Sequence, residues 1–377
     1  HVQAHSGSPS FMTKQQPIIL AAGGTGGHIF PAEALAEEML ARGREVLLIT
    51  DKRFNKFQSG LLSTVPRRTI RAGGSGRGLA HKISSGINIA IGTLRALRIL
   101  SKLKPQVVVG FGGYPSFPTV YAASMLGIPI IIHEQNSVLG RANRLLAKHA
   151  AKIATSFPDT QMVEASDQHK IILTGNPVRA SVRGLREVPY AQLQQDGKLH
   201  ILITGGSQGA SIFSEVMPKA VELLPSHLRA RLRIDQQCRE LDIVETRARY
   251  EAIGANADLA SFFVDIPARL ASCHLVIARS GASTMAELAV AGRPAILVPL
   301  PTAMDNHQYY NANVFEKIGG GWVMAQDGFT PQAVSARLEA FLTAPETLNR
   351  AAENARTLGT QDAAKTLADI VINDTNK

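Results

Sequence analysis

The chain has 377 residues, more than one hydrophobic core usually serves, so two domains are expected. Hydrophobic residues at 45% and charged residues at 19% exclude a disordered or fibrous chain. Two cysteines, Cys238 and Cys273, exclude a disulfide framework and suit a reducing cytoplasm. The net charge of +10 is concentrated: from Lys52 to His133 there is no Asp or Glu against twelve Lys or Arg, and the rest of the chain sums to −2. That stretch faces something anionic or forms a solvated basic face.

Residues 1–12 begin HVQAHSGSPSF, with no apolar signal core or cleavage pattern, and read as a remnant ahead of the folded chain. A strand at 17–20 leads into the glycine-rich turn AAGGTGGH (21–28). The segment 31–43 then has helical composition, with Pro31 expected in its first turn and Gly43 at its stop. Strands follow at 44–50, 105–112, 128–134 and 152–157, and in the second half at 200–206, 232–237, 274–280 and 294–299. Aliphatic strands separated by helix-length segments argue for parallel βαβ units. The apolar runs are strand-sized, so no transmembrane helix is expected. Helical spacing gathers Ile87, Ile91, Leu94 and Leu97 on one side, expected to pack on the sheet, with Arg95, Arg98 and Lys102 turned away.

A second glycine-rich turn, TGGSQGA (204–210), stands in the second half as AAGGTGGH does in the first. Two such strand-to-helix turns suggest two doubly wound domains in tandem, joined between Pro177 and Lys198, with ligands in the cleft at the strands' carboxyl ends. Each turn offers backbone N–H groups and a helix dipole to an oxygen-rich ligand. Neither is a Walker A loop, for no Lys-Ser or Lys-Thr follows. The dinucleotide fingerprint fits poorly, with Ile29 in place of the third glycine, although Asp51 ends the second strand where a ribose would bind. His28 sits at a helix N-terminus, where a neutral ring able to accept a proton is favoured; capping its helix is the alternative. No metal-ligand cluster or Asp-x-Asp motif stands out, so neither metal nor cofactor is expected.

Six segments in order, GGTGGHIFPAEALAEEM (23–39), GFGGYPSFP (110–118), HEQNSVLGRANR (133–144), TGNPVR (174–179), GGSQGA (205–210) and RSGASTMAEL (279–288), resemble the MurG family of bacterial N-acetylglucosaminyltransferases. The resemblance implies the α/β GT-B fold: two Rossmann-like, doubly wound parallel-sheet domains facing across a cleft. It places an acceptor domain at 13–178, a UDP-sugar domain at 179–355, and a C-terminal segment, 356–377, packing back on the first domain. It also implies inverting transfer of N-acetylglucosamine from UDP-N-acetylglucosamine to lipid I, at the cytoplasmic face of the inner membrane.

By motif, the resemblance gives donor contacts to Thr25, Gly26 and Gly27 and makes His28 the general base, with Glu134 as rival. It lines the cleft with Tyr114 and Asn136 and sets Arg179 and Ser207 around the diphosphate. The loop Ala282, Ser283, Thr284, Met285 and Ala286 meets the nucleotide, Glu287 the ribose, Phe263 the uracil and Gln308 the donor sugar. Thr284 and Glu287 also fit a capping box, and Arg179 a linker ion pair. Phe117, where the family has glycine, and His307, where it has glutamine, depart from the pattern. The basic region 67–104 is the expected contact with an anionic membrane, chiefly through the loop 71–82. Nucleic acid is not expected, because residues 58–110 hold no Phe, Trp or Tyr for bases to stack on. A nicotinamide-dependent oxidoreductase and a nonenzymatic membrane adaptor are the alternatives from other classes.

Overall fold

The structure, a computed structural model, describes residues 16–57, 60–73, 79–206, 210–360 and 362–373. Among the described residues, thirteen strands form two sheets, parallel throughout. The first holds β1 (Ile18–Ala21), β2 (Val46–Thr50), β3 (Arg67–Thr69), β4 (Val107–Gly110), β5 (Ile130–Glu134), β6 (Lys152–Thr155) and β7 (Ile171–Leu173), in the order β3-β2-β1-β4-β5-β6-β7. The second holds β8 (Leu199–Thr204), β9 (Leu232–Gln237), β10 (Asn256–Ala260), β11 (Leu275–Ala278), β12 (Ala295–Leu297) and β13 (Gly321–Val323), in the order β10-β9-β8-β11-β12-β13. Each order reverses beside its first strand, at β1/β4 and β8/β11, which opens a crevice at the strands' carboxyl ends.

Both faces of each sheet are covered. Ile18 and Leu20 of β1 join Ile29, Leu35 and Met39 of the helix Gly26–Ala41, while Ile19 and Ala21 join Ala96, Leu100 and Val120 on the opposite face. The strands not expected from sequence are β3, β7, β10 and β13. All four are sheet edges, and β3 and β10 carry Arg67, Arg68, Asn256 and Asp258 where buried strands carry aliphatics. The first helix begins at Gly26, so Pro31 lies inside it rather than in its first turn. Gly43 takes the expected positive φ of 72° just past its end.

The chain crosses between the sheets twice. After β7 it passes through Gly175–Arg179 into a core where Val178, Val182 and Leu185 are buried. It returns beyond the helix Glu346–Leu358, and the helix Ala363–Asn373 packs Leu367, Ala368 and Val371 on the first domain's helix Gly26–Ala41. The crossings touch: a Cβ on Gly175 would lie 2.7 Å from Thr360 Oγ1.

One expectation is overturned at three of its four residues, while Leu97 is half-buried against the first domain's core. Ile87 and Leu94 are 56% and 59% exposed, and Ile83 and Ile91 are exposed with them. The helix Leu79–Leu103 instead buries a small-residue stripe, Gly92, Thr93 and Ala96, with Leu100, against the helix Gly113–Met125. A Cβ on Gly92 would overlap the Arg71 carbonyl, so close approach selects that side and turns the isoleucines out. The segment Ile83–Leu103 is also long and apolar enough, by length and composition, to cross a membrane.

The second domain buries a charged cluster. Asp235 on β9, 1% exposed, accepts from His200 Nε2 at 2.8 Å and pairs with Arg269 Nη1 at 3.0 Å, which also pairs with Asp258. Burial pushes the Asp235 carboxyl up, but His200, Arg269 and Arg233 outweigh it and hold it below its ordinary value. A depressed folded pKa gives stability that is full above the unfolded value of about 3.9 and lost as pH falls through the folded value. The melting temperature should therefore fall below about pH 4. Asp235→Asn should be less stable at pH 7 yet lose less between pH 5 and 3, as thermal scans over that range would record.

Candidate active site

The first glycine turn ends β1 at the switch point, and its glycines serve different ends. A Cβ on Gly23 would clash with Pro115, Gly24 holds a positive φ of 88°, and Gly26 packs on the Phe30 ring. Gly27 meets only Thr25 Oγ1, at 3.6 Å, so its surface is open to a ligand. Gly26 to His28 form the first turn of the helix; the His28 N–H already bonds the Thr25 carbonyl at 3.1 Å, while those of Gly26 and Gly27 lack intrahelical acceptors. Thr25, in front of it, is exposed.

His28 Nδ1 lies 2.9 Å from Gln135 Oε1. Across the ring, a Cβ on Gly113 would come within 3.0 Å of His28 Nε2. Gly112 and Gly113 both hold positive φ, so that side carries only backbone. Nε2 has no hydrogen-bond partner among the described residues. Tyr114 stands in the same first turn of its helix, in electrostatic reach of Arg141.

Glu134 has a different setting. It is 2% exposed and accepts four hydrogen bonds, from Asn136 N and Nδ2 on Oε1 and from Gly140 N and Asn143 Nδ2 on Oε2. The carboxylate ties the end of β5 to the start of the helix Arg141–Ala147.

The opposite wall is the N-terminus of the helix Ala282–Ala291, capped by Gly281, which leaves Thr284 and Glu287 inside the helix and not in a capping box. Ala282 and Met285 are buried, and Ser283, Thr284 and Ala286 half-buried. Arg179 Nη2 stands 3.6 Å from Glu287 Oε1, and the Arg179 guanidinium lies 4.5 Å over the Phe30 ring, joining the two walls. Burial raises the Glu287 carboxyl above its ordinary range, against the pull of Arg179. Three buried polar atoms here have no partner among the described residues: Asn176 Oδ1, Arg179 Nε and Ser283 Oγ. Buried polar atoms are rarely left so, and a ligand's oxygens and hydroxyls would satisfy them.

Gln308 Oε1 accepts from Leu300 N, and His307 Nδ1 bonds the Met304 carbonyl. Phe263 is buried under the Arg269 guanidinium, 3.8 Å from its ring. Phe117 stacks on Tyr121 in the first domain, beside the exposed Met125 and Leu145. Ser207 lies outside the described residues.

Five site residues were given no role by sequence reading. Asn311, fully buried, accepts from Ser137 N and Oγ and donates to Asn136 Oδ1 and the Ser280 carbonyl, so one amide spans both domains. Asp305 and Asn306 hold φ of 51° and 53°, and Asp305 pairs with Arg141 and Arg144 across the cleft. Asn176 donates to the Ala282 carbonyl, and Gln135 holds His28. Gln135 and Asn176 lie within the quoted segments 133–144 and 174–179, and Asn311 stands one helical turn after Gln308.

The family 28 glycosyltransferase N-terminal domain matches residues 18–155 and its C-terminal domain residues 200–367. The chain is 54% identical over 356 residues, 94% of each chain, to the UDP-N-acetylglucosamine--N-acetylmuramyl-(pentapeptide) pyrophosphoryl-undecaprenol N-acetylglucosamine transferase of Rhodospirillum centenum. The chain belongs to the MurG family. It is 51% identical to the enzyme of the same name in Paramagnetospirillum magneticum, over 96% of this chain and 98% of that one. The crystal structure of Acinetobacter baumannii MurG superposes with a TM-score of 0.78 at 31% identity, covering 95% of this chain and 99% of that one. The two facing sheets are thus the GT-B architecture, and the chain is a UDP-sugar glycosyltransferase.

Proposed function

We propose that this protein transfers N-acetylglucosamine from UDP-N-acetylglucosamine to the C4 hydroxyl of N-acetylmuramic acid in lipid I, giving lipid II for peptidoglycan synthesis. The observation that carries it is the pairing of His28, its Nε2 open, with the unpartnered Asn176, Arg179 and Ser283 atoms on the facing wall. His28 Nε2 takes the hydroxyl proton while the oxygen forms its bond to the anomeric carbon. The bond to the UDP oxygen breaks on the opposite face, inverting the centre, and its electron pair leaves with the diphosphate.

Charge grows on that diphosphate as the bond breaks. The Arg179 guanidinium and the N-terminal N–H groups of Ala282–Ala291 would therefore bind the transition state more tightly than the ground state. Thr25, Gly26 and Gly27 fit the remaining donor oxygens; the diphosphate role of Ser207 rests on the sequence motif alone. Met285 and Ala286 shape the helix turn beside the nucleotide, the Phe263 backbone fits the uracil, and Gln308 and Asn136 the sugar. The four hydrogen bonds on Glu134 favour a positioning role for it and leave the base to His28.

Glu287 fits the ribose hydroxyls. Glu287→Ala is expected to weaken UDP binding roughly 10- to 100-fold, the worth of hydrogen bonds to a charged acceptor. UDP-induced thermal stabilisation would shrink accordingly. Stabilisation by NAD and not by UDP would instead favour the oxidoreductase reading.

The acceptor is lipid-linked, so we also place the protein on the cytoplasmic face of the inner membrane. The exposed Ile83, Ile87, Ile91 and Leu94 with Arg95, Arg98 and Lys102 beside them support an in-plane contact with anionic lipid. Each basic residue there adds about 1 kcal/mol. Of the loop 71–82, residues 74–78 lie outside the described residues. Ile87→Glu with Leu94→Glu is expected to lower co-sedimentation with phosphatidylglycerol vesicles at least about 10-fold, by losing buried apolar area and adding repulsion. UDP binding should be unchanged.

A further inference from the structure

We infer that Gln135 is a positioning residue that fixes His28 in the tautomer with its proton on Nδ1 and its lone pair on Nε2. The inference rests on His28 acting as the base and names what prepares it.

The Gln135 side chain is 1% exposed, and its two ends face groups of unequal freedom. Its Nε2 lies 3.1 Å from the His133 carbonyl, which can only accept. The amide therefore cannot be turned over without setting carbonyl against carbonyl. With the NH₂ fixed there, Oε1 must be the atom 2.9 Å from His28 Nδ1, and that nitrogen must carry hydrogen. The second NH₂ hydrogen faces His133 Nδ1 at 3.0 Å, and His133 Nε2 lies 3.2 Å from the Gly175 carbonyl, again an obligate acceptor. The chain from the Gly175 carbonyl through His133 and Gln135 to His28 thus admits one assignment of hydrogens. Both of its fixed ends are backbone carbonyls.

The two groups behind His28, Gln135 and His133, carry no charge at neutral pH. His133 is fully buried, and burial pulls its ring down to about 4, so it stays uncharged at neutral pH. Where many catalytic histidines lean on a carboxylate, this one leans on an amide. Gln135 orients the ring and accepts its Nδ1 hydrogen without placing a negative charge beside it. The titratable and charged groups on elements packed around His28 are His133 and Glu134 of β5, Tyr114, the Asp51–Arg53 pair after β2, and Arg179 with Glu287 across the cleft. Glu33, Glu37, Glu38 and Arg42 lie farther along its own helix.

The test uses the full-length chain labelled with ¹⁵N-histidine. Two-bond ¹H–¹⁵N spectra should show wild-type His28 protonated on Nδ1 and Gln135→Met with a mixture of tautomers. An Nε2-protonated His28 in the wild type overturns the inference whether or not transfer occurs, which separates it from the functional reading. In turnover, Gln135→Met should lower kcat roughly 100-fold, within the loss that wrong-tautomer variants of catalytic histidines show, with KM for the donor unchanged. Gln135→Glu keeps the shape and adds a charge, so it should raise the acidic limb of the kcat/KM profile by about one pH unit or more. A wild-type kcat in Gln135→Met, or an unmoved acidic limb in Gln135→Glu, would contradict the inference.

Discussion

His28→Ala should lower kcat for acceptor-dependent transfer by roughly 10²- to 10⁴-fold, the usual contribution of a positioned general base. Nothing else changes much. The side chain makes one hydrogen bond, to Gln135, and its opposite edge faces the bare backbone of Gly113, so thermal stability should stay within about 1 kcal/mol of wild type. UDP-induced stabilisation should also persist, because removing the imidazole leaves in place both the backbone of Gly26 and Gly27 and the nucleotide groups on the facing wall. Glu134→Gln should behave differently. Its new NH₂ would confront one of the four donors that now converge on the carboxylate, so melting temperature and activity should fall together. Steady-state kinetics beside thermal scans on the two variants separate a base from a structural carboxylate.

The largest loss of stability is expected at Arg293, far from the chemistry. Its guanidinium is fully buried and donates to the Leu270 and Ala271 carbonyls, 2.6 and 2.9 Å away, and to those of Ala291 and Gly292, at 2.6 and 3.3 Å. These are terminal carbonyls of two helices, Ile266–Ser272 and Ala282–Ala291, which have no intrahelical donors. The ring of Tyr190 lies 5.4 Å from the guanidinium carbon. Removing the cation leaves four buried acceptors without it, and Arg293→Met should cost about 3–5 kcal/mol, as other one-sided breaks of buried charged contacts do. At 2–4 °C per kcal/mol for a domain of this size, the melting temperature should drop on the order of 10 °C. Arg293→Lys should rescue little, since one ammonium cannot reach carbonyls in two directions. Because the second helix presents its N-terminus to the cleft, UDP binding should weaken as well.

Much of the fold was legible because the buried strands are unbroken aliphatic runs and the glycine turns punctuate them. Where tertiary contacts overrode pattern, the reading failed. The apolar side of residues 87–97 looked like a core face, yet a glycine and an alanine pack more closely on a neighbouring helix than isoleucine can, and that geometry is invisible in a hydrophobicity pattern. Edge strands such as Arg67–Thr69 bury too little to need the usual residues. At the site, His28 and the helix at 282 announce themselves through glycine-rich turns. Gln135 and Asn311 do not, because their roles depend on partners 107 residues away in one case and 174 in the other.

The most direct test is the release of UDP from UDP-N-acetylglucosamine by wild-type protein and His28→Ala, with and without a lipid-I analogue, the product being followed by mass and anomeric configuration. The account predicts release that requires the acceptor, matches one N-acetylhexosamine gained with inverted configuration, and nearly vanishes in the variant. Folded wild-type protein that is stabilised by UDP but releases none in response to the acceptor would contradict it.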